Sequence, residues 1–173
     1  MHPLIIRNKN IDISYTNTRM DSQPERSACI FCNIINKMED TEILYEDEDV
    51  CVFRDIKPAS QFHVLTVPKR HIEDVKSLTP NDKDLVARML SVSKELLVKN
   101  NLSVEDARFG YHWPPFRSVH HLHLHTIAPE SKMGLIARMI FKKDSYWFVS
   151  VRILLLYPIS LLEWSSNMLA TWC

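Results

Sequence analysis

Three histidines alternate with leucines in His121-Leu122-His123-Leu124-His125. In extended backbone, side chains two residues apart share a face. The spacing therefore predicts a row of imidazoles, with Leu122 and Leu124 turned the other way. Near neutral pH an imidazole can be a nucleophile, a proton carrier or a metal ligand. The row alone leaves phosphorus chemistry and a metal centre both open. Five of the eight histidines fall between residues 112 and 125, beside the stiff Trp113-Pro114-Pro115 turn. A second chemical spacing is Cys29-Ile30-Phe31-Cys32, two thiols at metal-ligand spacing with no second such pair downstream.

Elements must place these groups. Cys29 to Met38 reads as a short helix. Glu42–Glu46 and Val50–Arg54 read as strands joined by the acidic turn Asp47-Glu48-Asp49, and Phe62–Val67 as a third strand closed by Pro68. The clearest helix is Asn81–Lys99: Thr79 suits the N-cap, Pro80 the first helical position, and Leu85, Met89, Val92 and Leu96 make one apolar stripe. Ala107–His112 and Val119–Ile127 complete five strands, the last carrying the histidine row. Strands close in sequence with one long intervening helix predict an α+β fold with an antiparallel sheet.

Bulk properties exclude several classes. The 173 residues suffice for one domain with a real core, and the formal net charge is zero, so no general field attracts nucleic acid. Only Gly110 and Gly134 are present, which excludes a glycine-rich phosphate loop. Cysteine usage and the absence of a secretory pattern lead us to expect an intracellular, reducing location: the cytoplasm, extending to the nucleus. Residues 1–28 are polar and aperiodic and read as a flexible extension. Val149 to Leu162 is apolar but holds Arg152 and Pro158, and is shorter than the ~20 residues of a spanning helix, so no membrane is expected.

The stretch Ser118-Val-His-His-Leu-His-Leu-His-Thr-Ile127 resembles the signature of the histidine triad (HIT) family of nucleotide hydrolases and transferases, His-φ-His-φ-His-φ-φ with φ apolar. Thr126 departs mildly at one φ position. Cys29–Cys32, Phe53-Arg-Asp-Ile-Lys-Pro58 and His63-Val-Leu-Thr-Val-Pro-Lys-Arg-His-Ile72 match as well. The resemblance covers residues 29–148. Gly110-Tyr-His-Trp-Pro-Pro-Phe116 and Ser145-Tyr-Trp-Phe148 are most similar to its adenosine 5'-monophosphoramidase branch. Gly110-Tyr111-His112 is also similar to the aprataxin branch, which removes adenylate from DNA ends.

The resemblance implies a HIT-like fold: a five-stranded antiparallel sheet with two main helices, pairing as a homodimer or larger homo-oligomer. It implies hydrolysis of AMP-amine, AMP-lysine or acyl-AMP conjugates with no cofactor required for catalysis. His123 matches the nucleophile, forming a covalent nucleotidyl-histidine, with the carbonyl of His121 fixing its tautomer. His125 and His63 match phosphate partners, and Ser118 the residue at the leaving group. Asp55 matches the ribose carboxylate, its alternative being a plain turn aspartate. Ile30, Phe31, Phe53 and Ile56 match the walls around a purine base, their alternative being core; Leu124 belongs to the nucleotide set. Cys29, Cys32, His71 and His121 match the ligands of a structural zinc found in some bacterial members, the alternative being two free cysteines. His112 either contacts ligand or caps the turn, His120 is expected to be structural, and Lys69-Arg70 a solvated pair. Rival functions are a DNA-adenylate hydrolase and a nucleotide-binding scaffold with little turnover. After Phe148 the likeness stops, and 149–173 is expected as an atypical apolar tail, an alternative or aberrant C-terminus that puts substrate choice in doubt.

Overall fold

The computed structural model describes residues 27–156. The expected extension lies outside the described residues apart from Ser27 and Ala28, as does the tail beyond residue 156. In chain order the elements are α1 (Ile30–Ile35), β1 (Ile43–Glu46), β2 (Val50–Arg54), β3 (Phe62–Pro68), α2 (Lys83–Lys99), β4 (Arg108–His112), β5 (Leu124–Ala128), α3 (Leu135–Ile140), β6 (Phe148–Ser150) and α4 (Val151–Leu156). The strands form one antiparallel sheet in the order β1-β2-β3-β5-β4-β6. The α+β class stands, with a sixth strand beyond the five expected. β6 is three residues long, too short for alternation to mark it in a sequence.

The sheet has two covered faces, and the side-chain alternation of β3 serves both. Val64 and Thr66 point toward α2, where the Thr66 hydroxyl lies 2.8 Å from that of Ser93. Val86, Met89, Val92, Leu96 and Leu97 of α2 fill that larger core, together with Leu122, Leu124, Val149, Val151 and Leu154. Apolar residues at helical spacing thus find the sheet as their partner. α2 starts after a turn in which the Asp82 carboxylate accepts hydrogen bonds from the Thr79 amide and hydroxyl. On the opposite face Phe31 and Ile34 of α1 pack on Cys51, Phe53, Leu65 and Val67. Beside them Met133, Phe141 and Phe148 pack on Ile127. The imidazoles sit on this second face, between the two smaller clusters.

The histidine strand begins later than the expected Val119. Ladder pairing of β3 with β5 ends at Thr66–Leu124, and the same register would set Leu122 opposite Pro68. Proline has no amide hydrogen to give to a ladder. The chain leaves the sheet there, and the Leu122 amide donates to the Ile72 carbonyl at 2.7 Å. Alternation survives the missing ladder: Leu122 and Leu124 are buried against α2, and His121, His123 and His125 face the other way. Gly110 faces His125 on one side and Ser150 on the other. A Cβ there would come within 2.5 Å of the Phe148 ring and 2.6 Å of the Val149 carbonyl, so its absence lets β6 close on β4. Among the described residues no helix is long and apolar enough to cross a membrane.

The segment 148–156 is therefore part of the packed body, with Val151 and Leu154 buried under α2. Leu154→Ala should cost about 2–5 kcal/mol and lower the urea midpoint. Leu156→Ala, at a site 64% exposed, should shift stability by no more than about 0.5 kcal/mol. Equal midpoints for the two variants would mean that α4 contributes nothing to the core.

Candidate active site

Strand pairing builds the site. His63 on β3 and His125 on β5 are diagonal neighbours across the ladder, on one face. Their Nε2 and Nδ1 atoms lie 3.0 Å apart. The Ala59 amide donates to His63 Nδ1 at 3.1 Å. In a neutral ring that leaves the His63 proton on Nε2, which donates to His125 Nδ1. The His125 proton is then on Nε2, a buried atom with no hydrogen-bond partner among the described residues. A chain of two hydrogen bonds thus ends in one unsatisfied N–H donor, ready for an oxygen brought by a ligand.

His123 is fixed in the opposite sense. Its Nδ1 donates to the His121 carbonyl at 2.6 Å, which leaves Nε2 with a free lone pair. Its ring lies 4.8 Å from that of His125 and 5.2 Å, edge-on, from Phe31. A nucleophilic nitrogen and an N–H donor therefore stand side by side. Burial holds His123 neutral, its pKa pushed down to about 4. His63 is likewise at about 4, burial outweighing the nearby Asp55 carboxylate, and His125 is held well below the ordinary value by burial and by its imidazole neighbours.

Asp55 joins this group. Its Oδ2 is 3.5 Å from His63 Nε2 and 3.9 Å from His125 Nδ1, and its Oδ1 accepts from the Lys57 amide. Phe31 and Phe53 are buried in edge-to-face contact, centroids 5.3 Å apart. Ile30 and Ile56 are exposed, the latter by 91%, so these two sit in the solvent-facing layer and not in the core. Leu124 is buried on the α2 face, turned away from the imidazoles. Ser118 is exposed and lines an open cleft of about 740 Å³ with Ala28, Cys29, Ile30, His71 and Glu73, at the His121 end of the row.

Four further ligand atoms gather at that end. Cys29 Sγ and Cys32 Sγ lie 3.3 and 3.5 Å from His121 Nδ1, and Cys32 Sγ lies 3.3 Å from His71 Nδ1. All four ligand atoms fall within 4.8 Å of one another. His121 Nε2 donates to the Pro68 carbonyl at 2.9 Å, so its Nδ1 lone pair faces the sulfurs. His121 thus belongs to both neighbourhoods, its ring to the thiols and its carbonyl to His123.

Several participants carry no sequence signal. Phe141 packs within 5.1–5.3 Å of His63, His112 and His125, and Phe148 backs His125. Nothing in a sequence marks a lone phenylalanine thus, because its contacts come from distant strands. His112 is drawn in as well: Nδ1 donates to the Trp147 carbonyl at 3.2 Å and its ring stands 4.9 Å from His125. His120 lies exposed beside Glu73 and Arg117. Lys69 and Arg70 are paired with Glu46 and Asp82.

Known proteins resemble the chain in sequence and in fold. The family model described as scavenger mRNA decapping enzyme C-term binding matches residues 28–140. The adenosine 5'-monophosphoramidase HINT3 of Xenopus tropicalis is 47% identical over 125 residues, covering 71% of this chain and 82% of the relative. Its counterpart in Mus musculus is 43% identical over 132 residues, 75% of this chain and 80% of the relative. Among solved structures, a HIT family hydrolase from Clostridium thermocellum superposes with a TM-score of 0.56 at 28% identity, over 60% of this chain and 91% of that one.

Neutral, buried imidazoles link stability to pH. Unfolded histidines take a proton near pH 6.5, whereas folded His63 and His123 resist until about 4. The unfolded state then binds more protons, so their contribution is complete above pH 6.5 and lost as pH falls toward 4. The urea midpoint should decline steadily over this range, and His123→Gln should flatten the slope. A slope unchanged by that substitution would show that folding leaves the proton affinity of His123 unaltered.

Proposed function

Because this chain belongs to the histidine triad family, we propose that it is a nucleoside phosphoramidate hydrolase acting on adenosine 5'-monophosphoramidate and related AMP-amine conjugates. The single observation that carries the mechanism is the 2.6 Å bond from His123 Nδ1 to the His121 carbonyl. It presents an unprotonated Nε2 at the position of the family nucleophile. That nitrogen attacks the α-phosphorus, the P–N bond to the amine breaks, and the amine leaves with a proton. Water then cleaves the nucleotidyl-histidine. Covalent catalysis of this kind replaces one hard displacement by two easier ones.

The unpartnered His125 Nε2–H supports a second role, donation to a non-bridging phosphate oxygen as negative charge develops there. His63 sets that proton's position through the tautomer chain. Asp55, carried over from the family, receives the ribose hydroxyls, and the exposed Ile30 and Ile56 offer an apolar slot for the base. Ser118, on the open cleft, stands on the leaving-group side. Catalysis by these groups needs no cofactor.

A structural zinc is supported by the donor set. Tetrahedral zinc with ordinary bond lengths separates sulfur and nitrogen ligands by about 3.6 Å, close to the 3.3–3.5 Å between the thiols and the histidine Nδ1 atoms. The Pro68 carbonyl supplies the outer-shell contact such ligands usually have. Cys29, Cys32, His71 and His121 would hold it, and its contribution would be to rigidity. The few, unevenly spaced cysteines of the sequence favour a reducing compartment, which we assign to the cytoplasm with access to the nucleus. The functional unit we propose is a homodimer.

With a fluorogenic adenosine phosphoramidate, His123→Ala should abolish turnover. His125→Ala should reduce kcat by roughly 100- to 1000-fold. Turnover undiminished in His123→Ala would refute the nucleophile, and an inactive wild-type protein would leave the scaffold reading. Elemental analysis of protein purified without chelator should find zinc in near-stoichiometric amount, lost in Cys32→Ser. Zinc at background in both would refute the metal.

A further inference from the structure

We infer that Cys29 and Cys32 form a reversible oxidation site, and that closing it to a disulfide slows the His123 nucleophile. Both sulfurs touch the same atom, His121 Nδ1. They sit three residues apart, Cys29 in extended backbone at the N-cap of α1 and Cys32 in its first turn, and their sulfurs lie within 4.8 Å of each other, so rotation about the side-chain bonds can bring them together. Both are half-buried, and Cys29 lines the open cleft. Burial raises the thiols of both Cys32 and Cys51, but Cys51 is only 1% exposed within β2 and so is out of reach of an oxidant.

The oxidant class is a peroxide. The sulfur of Cys29 takes one peroxide oxygen as the O–O bond breaks and water leaves. The sulfur of Cys32 then displaces that oxygen, which departs as a second water carrying the remaining thiol protons. Two thiols are oxidised and one peroxide is reduced. A disulfide has no S–H to donate, so His121 Nδ1, on a fully buried ring, loses the thiol contacts that satisfy it. The ring can recover a partner only by moving, and its peptide moves with it. The carbonyl of that peptide is the acceptor for His123 Nδ1–H. Once it shifts, the proton is no longer held on Nδ1, and a ring with its proton on Nε2 cannot attack phosphorus. Where a metal occupies the four ligands, the disulfide removes two of them, so the two states exclude each other.

The activity arm rests on the phosphoramidase reading; the others do not. The full chain carrying Cys173→Ser, which removes the C-terminal thiol, is treated with hydrogen peroxide. Peptide mapping should show loss of two hydrogens in the peptide holding residues 29–32. The nucleotide kcat should fall on the order of tenfold to 100-fold with KM nearly unchanged, and dithiothreitol should restore it. The Nδ1–H proton resonance of His123 should shift or exchange-broaden in the oxidised protein and return on reduction. Cys32→Ser, whatever its basal rate, should lose the response to peroxide. A disulfide that forms while both kcat and the His123 resonance stay unchanged would overturn the inference. So would thiols that survive a peroxide excess able to oxidise free glutathione completely. If the reduced protein turns over no phosphoramidate, the functional reading fails, and mapping and resonance still decide this one.

Discussion

Everything chemical in this molecule depends on one hydrogen bond, from His123 Nδ1 to the carbonyl of His121. An imidazole offers two nitrogens, and only a fixed acceptor at one of them commits the lone pair to the other. Within a sheet ladder that carbonyl would be taken by a neighbouring strand. The register turns that carbonyl to the β4 side, and it is free because pairing of β5 with β4 ends at Gly110–His125, while on the β3 side the Leu122 amide turns to Ile72. The Pro68 carbonyl, past the end of the ladder with β5, receives His121 Nε2. A break in regular structure thus leaves free the acceptor that the proposed nucleophile needs.

The second constraint is electrostatic. Four imidazoles, His63, His112, His123 and His125, are crowded into a space walled by Phe31, Phe141 and Phe148. Charging any of them would carry a cation into a low-dielectric pocket among like-charged neighbours, so all are held below the ordinary histidine range. Neutral imidazoles need definite tautomers, and here these are assigned from the Ala59 amide at one end and the His121 carbonyl at the other. The result is a matched pair: a nitrogen with a lone pair and a nitrogen with a proton. A buried N–H without a partner is unfavourable in the free protein. It is the kind of local cost expected at a site that waits for a ligand oxygen.

What the sequence carried was local. Alternation of histidine and leucine is a property of five consecutive residues, so the division of the row from the core was legible before any fold was known. The same holds for β2, whose apolar run ends where expected, and for α2, whose turn residues and stripe lie side by side in the chain. Roles that depend on register were legible only through resemblance to a family. Nothing near His63 says that it lies diagonal to His125. Phe148 reaches the imidazoles because Gly110 lets β6 close on β4, and Phe141 reaches them from the end of α3. The three-residue β6 and six-residue α4 are too short to show a period, and their apolar composition reads as a tail until α2 supplies its partner surface.

The equality of the three histidines in sequence hides three different means of placing their rings. His125 is inside the ladder, its backbone paired with β3, and its ring is placed by strand geometry. His123 is just outside, and its ring is placed by a backbone carbonyl. His121 lies beyond the ladder, and its ring is placed by the Pro68 carbonyl and by side chains from α1 and the chain around His71. His123, the proposed nucleophile, depends on His121 for its orientation, because the carbonyl it binds belongs to that residue. Whatever tightens or loosens the contacts of Cys29 and Cys32 acts on the nucleophile through a single peptide, with no need for a longer route across the fold.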